Sequence, residues 1–225
     1  MMLLILTPPI PSSEKKLVRE EAQFRIYSAG KEIGTEDYVI LSSNSSASSS
    51  SILNLRDPKD RHRKIQVETQ LEMDSSYLPR SYQLKSEVDS LKGTIRGTFA
   101  PGQAIFEYKG SETARKGGLL VGDRYTILDT NIFHHFIFLV RLFKYSGGDK
   151  SQPFEVLVPQ EEDNGILNIS IVGQENIDEL GKRIKVHHMQ ADSGLLQIDL
   201  WVDDNRILHK IAVPSKGIEV IRVPR

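Results

Sequence analysis

The 225-residue sequence contains no cysteine, which excludes disulfides, thiol nucleophiles and thiolate metal sites. That absence leaves the compartment open, because cysteine-free chains occur in reducing and oxidising surroundings alike. An excess of one charge is also missing. The 29 basic side chains stand against 30 acidic ones, so the global electrostatic signature of a nucleic-acid binder is lacking. The compact basic run Arg61-His62-Arg63-Lys64 is diluted by Asp57 and Asp60 and has no interleaved aromatics, which argues further against nucleic acid as a partner. Long apolar runs are absent too. The opening MMLLILTPPIPSSEKK holds only about five consecutive apolar residues and no basic n-region, too little for a membrane span and poor as a signal peptide. Residues 1–22 are therefore read either as a loosely docked tail or as the stub of an export signal. No GxSxG elbow, HExxH pair or phosphate-cradling glycine loop occurs, so no catalytic residues are assigned and no metal or cofactor is expected.

What the chain does have is alternation. Leu196, Ile198, Leu200 and Val202 alternate with Gln197, Asp199, Trp201 and Asp203, the two-residue period of a strand with unlike faces. Two further extended runs follow, Ile207 to Val213 and Ile218 to Val223, separated by short turns that force antiparallel pairing. In the N-terminal half, Lys64 to Met73 alternates most cleanly, with Val67, Thr69, Leu71 and Met73 on one face and Glu68, Gln70 and Glu72 on the other. Glu68 and Glu72 share their face with glutamines, which marks it as wet. The stretch GKEIG (30–34) reads as a five-residue hairpin loop. SSNSSASSSS (42–51) has almost nothing to bury and reads as a flexible surface loop within a single domain spanning 23–225. Gly97 inside a strand pattern points to a bulge or the close approach of another group.

Residues 129–145, DTNIFHHFIFLVRLFKY, differ from everything around them. Ile132, Phe133, Phe136, Ile137 and Val140 recur at three-to-four spacing, which predicts a helix of three to four turns. After Asp129, Arg141 is its single fixed charge before Lys144, so most of its circumference needs cover. The total, about ten antiparallel strands and one apolar helix, predicts a mainly β fold in which a large curved sheet, a half-barrel or open barrel, carries the helix on or in its concave face.

The segments FRIYSAGKEIGTEDYVI, LDTNIFHHFIFLVRL with VLVPQ behind it, and DLWVDDNRILHKIAVPSKGIEVIRV resemble the DUF3108/DUF6134-type bacterial proteins of unknown function. Their curved sheet is similar to the half-barrels of lipoprotein-localisation factors. The resemblance covers residues 23–225 and implies a periplasmic or otherwise exported envelope protein that handles a lipid or another apolar molecule. It supplies no catalytic residues.

Three functions are left standing by the sequence. The leading one is non-enzymatic carriage of an apolar, lipid-like ligand, with Phe133, Phe136, Ile137, Val140 and Trp201 as the ligand-binding candidates. The second is an envelope scaffold using an edge strand or the Trp201 face, and the third is a cryptic hydrolase. The histidines, His134-His135, His187-His188 and His209, are spaced so that neighbours point apart on either a helix or a strand. They read as solvated or singly bonded side chains rather than metal ligands. Oligomeric state is not encoded in any pattern.

Overall fold

The computed structural model describes residues 17–56, 63–146, 151–179 and 181–224. Of the tail expected over residues 1–22, residues 1–16 lie outside these residues, as do Arg61 and His62 of the basic run, whereas Val18–Ala22 belong to the first strand.

The chain builds strands β1 (Val18–Ser28), β2 (Lys31–Ser42), β3 (Ser46–Arg56), β4 (Lys64–Asp74), β5 (Pro79–Val88), β6 (Leu91–Ala100), β7 (Gln103–Lys109) and β8 (Ala114–Leu120). After β9 (Tyr125–Ile127), a 3-10 turn at Phe133–His135 runs into helix α1 (Phe136–Leu142). The chain then continues through β10 (Ser151–Val158), β11 (Asp163–Glu179), β12 (Lys182–Asp192), β13 (Gln197–Val202), β14 (Leu208–Val213) and β15 (Ile218–Pro224).

Among the described residues these fifteen strands form one sheet, ordered β8-β7-β6-β5-β4-β3-β2-β1-β15-β14-β13-β12-β11-β10-β9. It consists of two meanders joined where β1 meets β15, with Phe24 opposite Arg222 and Ile26 opposite Val220. Every pair is antiparallel except β9 with β10. A parallel neighbour requires a crossover of a dozen or more residues, and here the 3-10 turn and α1 lie within that crossover.

This corrects the expected fold class. The sheet has fifteen strands rather than about ten, and it is not the curved half-barrel or open barrel foreseen: its end strands β8 and β9 do not pair. Side chains, not a ladder, link the two ends. Asn164 donates to the Leu120 carbonyl at 2.9 Å, and Glu155 accepts the Gly122 N–H at 3.0 Å. The principal helix is also shorter than expected, seven residues rather than three to four turns. Its aromatic and β-branched residues have modest helix propensity, so packing rather than propensity holds the segment.

The serine tract is the sharpest departure. Ser46–Arg56 is a regular strand between β2 and β4, not a flexible loop. Its inward row of Ala47, Ser49, Ser51 and Leu53 is buried. Three small side chains in succession leave space for the crossover to lie close to the sheet, a packing role that composition alone conceals. The GKEIG reading also changes. The reversal occupies Ala29-Gly30, with φ of 48° and 76°, the doubly positive geometry of a tight hairpin. Gly34 lies within β2, where a Cβ would come within 2.1 Å of the Asn54 carbonyl oxygen. Gly97 conforms to the close-approach alternative, since a Cβ there would meet the Phe106 ring at 2.8 Å.

Candidate functional site

The crossover carries the chain's most unusual polar chemistry, and strands of the N-terminal meander hold it down. Glu36 on β2 is fully buried. Its Oε2 accepts the backbone N–H of Phe133 at 2.8 Å and of His134 at 3.2 Å, and its Oε1 sits 2.6 Å from His134 Nδ1. The other ring nitrogen of His134 is 3.2 Å from Ser49 Oγ on β3. A helix start leaves backbone donors without internal partners, and a carboxylate brought from the sheet satisfies two of them.

Asp129 secures the beginning of the crossover. It accepts the Tyr82 hydroxyl of β5 at 2.7 Å and the N–H groups of Thr130 and Gln160 at 3.1 and 2.9 Å. Burial pushes its carboxyl up to about 6, against the lowering influence of those three donors. The same interior pushes the Tyr82 hydroxyl well above its ordinary range and His135 well below its own, because charge is disfavoured away from water. At the far end, Arg141 pairs with Glu20 of β1.

Ser49, His134 and Glu36 follow the connectivity of a hydrolytic triad. Glu36 and His134 are fully buried and Ser49 is 5% exposed, so a substrate would have to displace the crossover to meet the hydroxyl. The arrangement works as a strut joining crossover to sheet. Spacing alone does not reveal it, because it reads the histidines as solvated or singly bonded, whereas both ring nitrogens of His134 are engaged. The available signal was the position of Glu36, two and four residues before Tyr38 and Ile40 on the inward row of β2.

The crossover does not cover the whole inner face of the N-terminal meander. Towards one end of β3 to β6 the inward residues pass from buried (Leu53, Val67, Leu84) to half-buried (Leu55, Ile65, Val88). There an open hollow of about 430 Å³ is walled by these residues and Ile95, within the range of about 300–1,000 Å³ usual for small-molecule sites. The lining also includes Thr113, Thr130, Asn131 and Gln160, together with Lys109 and Arg115. Asn131 adopts a φ of 63° where the chain leaves the Asp129 anchor. Tyr108 stands at the boundary, donating to the Pro159 carbonyl at 3.0 Å with the Arg115 guanidinium 4.2 Å above its ring. Burial pushes its hydroxyl up to about 12.

The ligand-binding residues expected from sequence lie elsewhere. Phe133, Phe136, Ile137 and Val140 are buried in the hydrophobic core and are not among the residues lining the hollow. Trp201 is on the outward face of β13, stacked on His188 with ring centroids 4.9 Å apart and bonded to Glu175. Lys210 lies 4.9 Å over the same ring. Sequence periodicity identified the crossover as the greasy segment but could not say that its own contacts consume its apolar surface. The hollow is instead walled by strand residues whose alternation looked ordinary.

Among the described residues, no group of three or more His, Asp or Glu side chains is arranged to hold a metal. No helix there is long and apolar enough to cross a membrane. No family model matches the chain, so the resemblance to DUF3108/DUF6134-type proteins is not carried to a family assignment. No curated protein matches it either. Two solved structures do. A DUF1089 family protein from Pseudomonas aeruginosa has 10% identity and a TM-score of 0.48, covering 95% of this chain and 97% of that one. A β-barrel-like protein of the domain of unknown function DUF1849 from Brucella abortus has 12% identity and a TM-score of 0.59 over 92% of this chain and 98% of its own. The chain thus resembles, in fold, an uncharacterised bacterial protein described as β-barrel-like.

Proposed function

We propose that this protein binds an apolar small molecule, without covalent chemistry, in the hollow between β3–β7 and the start of the crossover. The observation that carries the reading is the wall itself: an aliphatic surface recessed within the sheet's inner face, whose outer residues Leu55, Ile65 and Val88 are only half-buried, bordered by polar side chains. Each methylene buried there is worth about 0.8 kcal/mol. An envelope location, implied by the likeness to DUF3108/DUF6134-type proteins, belongs to the same reading, and fractionation of cells expressing the full gene tests it.

Ser86 and Val88 both line the hollow and neither is fully buried, so enlarging them fills space without rebuilding the core. Titration with an environment-sensitive apolar fluorophore should give saturable binding to the wild type. Ser86→Phe and Val88→Trp should each weaken it at least ~10-fold, an expectation from lost apolar contact, while far-UV circular dichroism stays unchanged. Binding that persists undiminished in both folded variants would remove the hollow as the site.

A further inference from the structure

The charged side chains around the hollow are all engaged or turned away from it. Of the eighteen residues that line it, none is acidic and two, Lys109 and Arg115, are cationic. Tyr108 faces inward opposite Ile95. The next residue, Lys109, lies opposite Thr94 and so turns its side chain to the other face of the sheet, bordering the hollow with its main chain. Arg115 pairs with Glu162 and lies over the Tyr108 ring. At the same edge Glu161 accepts the Thr130 hydroxyl at 3.0 Å. Neither sign of charge is left turned into the hollow.

A neutral polar group does face it. Ser86 stands on the inward row of β5 between Leu84 and Val88, opposite Val67 of β4 and Gly93 of β6, and all five residues line the hollow. The wall around it is aliphatic on three sides. On the fourth the neighbour has no side chain, and a Cβ at Gly93 would come within 2.9 Å of Ser86 Oγ. Ser86 is half-buried, and among the described residues its hydroxyl has no hydrogen-bond partner. In the open hollow, solvent can pair it. A pure hydrocarbon laid over the wall would strip that solvent and leave the hydroxyl unsatisfied, an unfavourable state for a polar group away from water. A ligand oxygen at the same depth would replace the lost hydrogen bond.

We infer that the occupant is an uncharged aliphatic alcohol, its chain against Ile65, Val67, Leu84 and Val88 and its hydroxyl paired with Ser86. This rests on the apolar-binding reading above and adds to it the charge of the ligand and one fixed polar contact. Two hydroxyls suit each other because each can both donate and accept. A carboxylate or an ammonium would have to leave water for a wall that offers it no opposite charge. Ser86 is then the residue that separates an alcohol from a hydrocarbon of the same length, since a buried group built to bond a ligand hydroxyl is left unpaired by an analogue that lacks one.

Isothermal titration with decanol, decanoate and decylammonium, each below its aggregation concentration and at about pH 7, where the acid and the amine are ionised, separates the two claims. Fluorescence titration with the hydrocarbon probe diphenylhexatriene supplies the purely apolar reference. Decanol should bind the wild type ~10-fold or more tightly than either ion, because only the ions leave a charge without a partner. Ser86→Ala should weaken decanol ~5-fold, the scale of one neutral hydrogen bond. The same variant should bind diphenylhexatriene no more weakly than the wild type and keep its far-UV circular dichroism spectrum. An ion that binds as tightly as decanol, a decanol affinity that Ser86→Ala leaves unaltered, or an equal loss for probe and alcohol overturns the alcohol inference while the apolar site stands. Failure of all four compounds to bind overturns both.

Discussion

The two meanders contain similar strands but treat their inner faces differently. In the N-terminal one, β1–β8, the inward row of β3 is small and partly hydroxylic (Ala47, Ser49, Ser51), and the crossover is pinned above it by Glu36 and Asp129. The C-terminal meander lines its inner face with bulkier side chains such as Met189, Leu200, Val202 and Ile211, all fully buried. One of its buried polar groups is His209, between Glu179 at 3.1 Å and Asp203 at 3.4 Å. One half of the sheet accepts a covering segment by having small residues and polar anchors. The other meets the end of the same segment with bulk, where Tyr145 donates to Met189 Sδ at 3.5 Å and Arg206 to the Arg141 carbonyl at 3.0 Å, and the uncovered remainder lies in the first half. A cavity in this architecture is therefore a matter of where the covering segment stops.

The largest test of that asymmetry is Glu36→Ala. It strands two backbone donors and the His134 ring in a dry interior, so a loss of ~3–5 kcal/mol in urea unfolding is expected. His209→Ala in the other meander should cost only ~1–2 kcal/mol, and equal losses would erase the distinction between the halves.

Asp129 gives the next effect. Its folded-state pKa of about 6 lies above the ordinary 3.8, so the folded protein holds this proton more tightly than the unfolded chain. That contribution to stability is complete below the unfolded value and is lost as pH rises through about 6. The interval corresponds to ~3 kcal/mol. Comparing unfolding free energies across this window should show Asp129→Asn with a flatter profile than the wild type, and parallel profiles would deny the carboxyl this role. Ser49→Leu comes third. It intrudes on the space occupied by His134, with an expected loss of ~1–3 kcal/mol from overpacking. No loss of thermal stability would show that small side chains in β3 are not what admits the crossover. Trp201→Ala should be the mildest, below ~1 kcal/mol and without effect on fluorophore binding, because the ring lies on the outward face away from the hollow.

How far the sequence revealed this depended on what each residue had to do. β4 and the run from β13 to β15 were legible because wet and dry sides alternate residue by residue. β3 was hidden because its inward positions are filled by serine, whose burial is set by the neighbour above and not by its own hydrophobicity. β8, with Arg115, Lys116 and two glycines in seven residues, carries no apolar alternation because an edge strand has little to bury. The junction of β1 with β15 joins distant parts of the chain and leaves no local trace. The candidate site was the least visible. Leu53, Val67, Leu84 and Ile95 look the same whether a helix or a ligand lies over them.

The central junction has one more implication. Ala22 lies opposite Pro224, so the described beginning and end of the chain meet in mid-sheet, while only Val121–Arg124 separates the outermost strands β8 and β9. A circular permutant opened within 121–124 and fused between residues 224 and 17 by a short linker would thread all fifteen strands in simple spatial sequence. The one ladder that now waits for synthesis of the final strand would become a local contact, and such a molecule should refold faster than its parent.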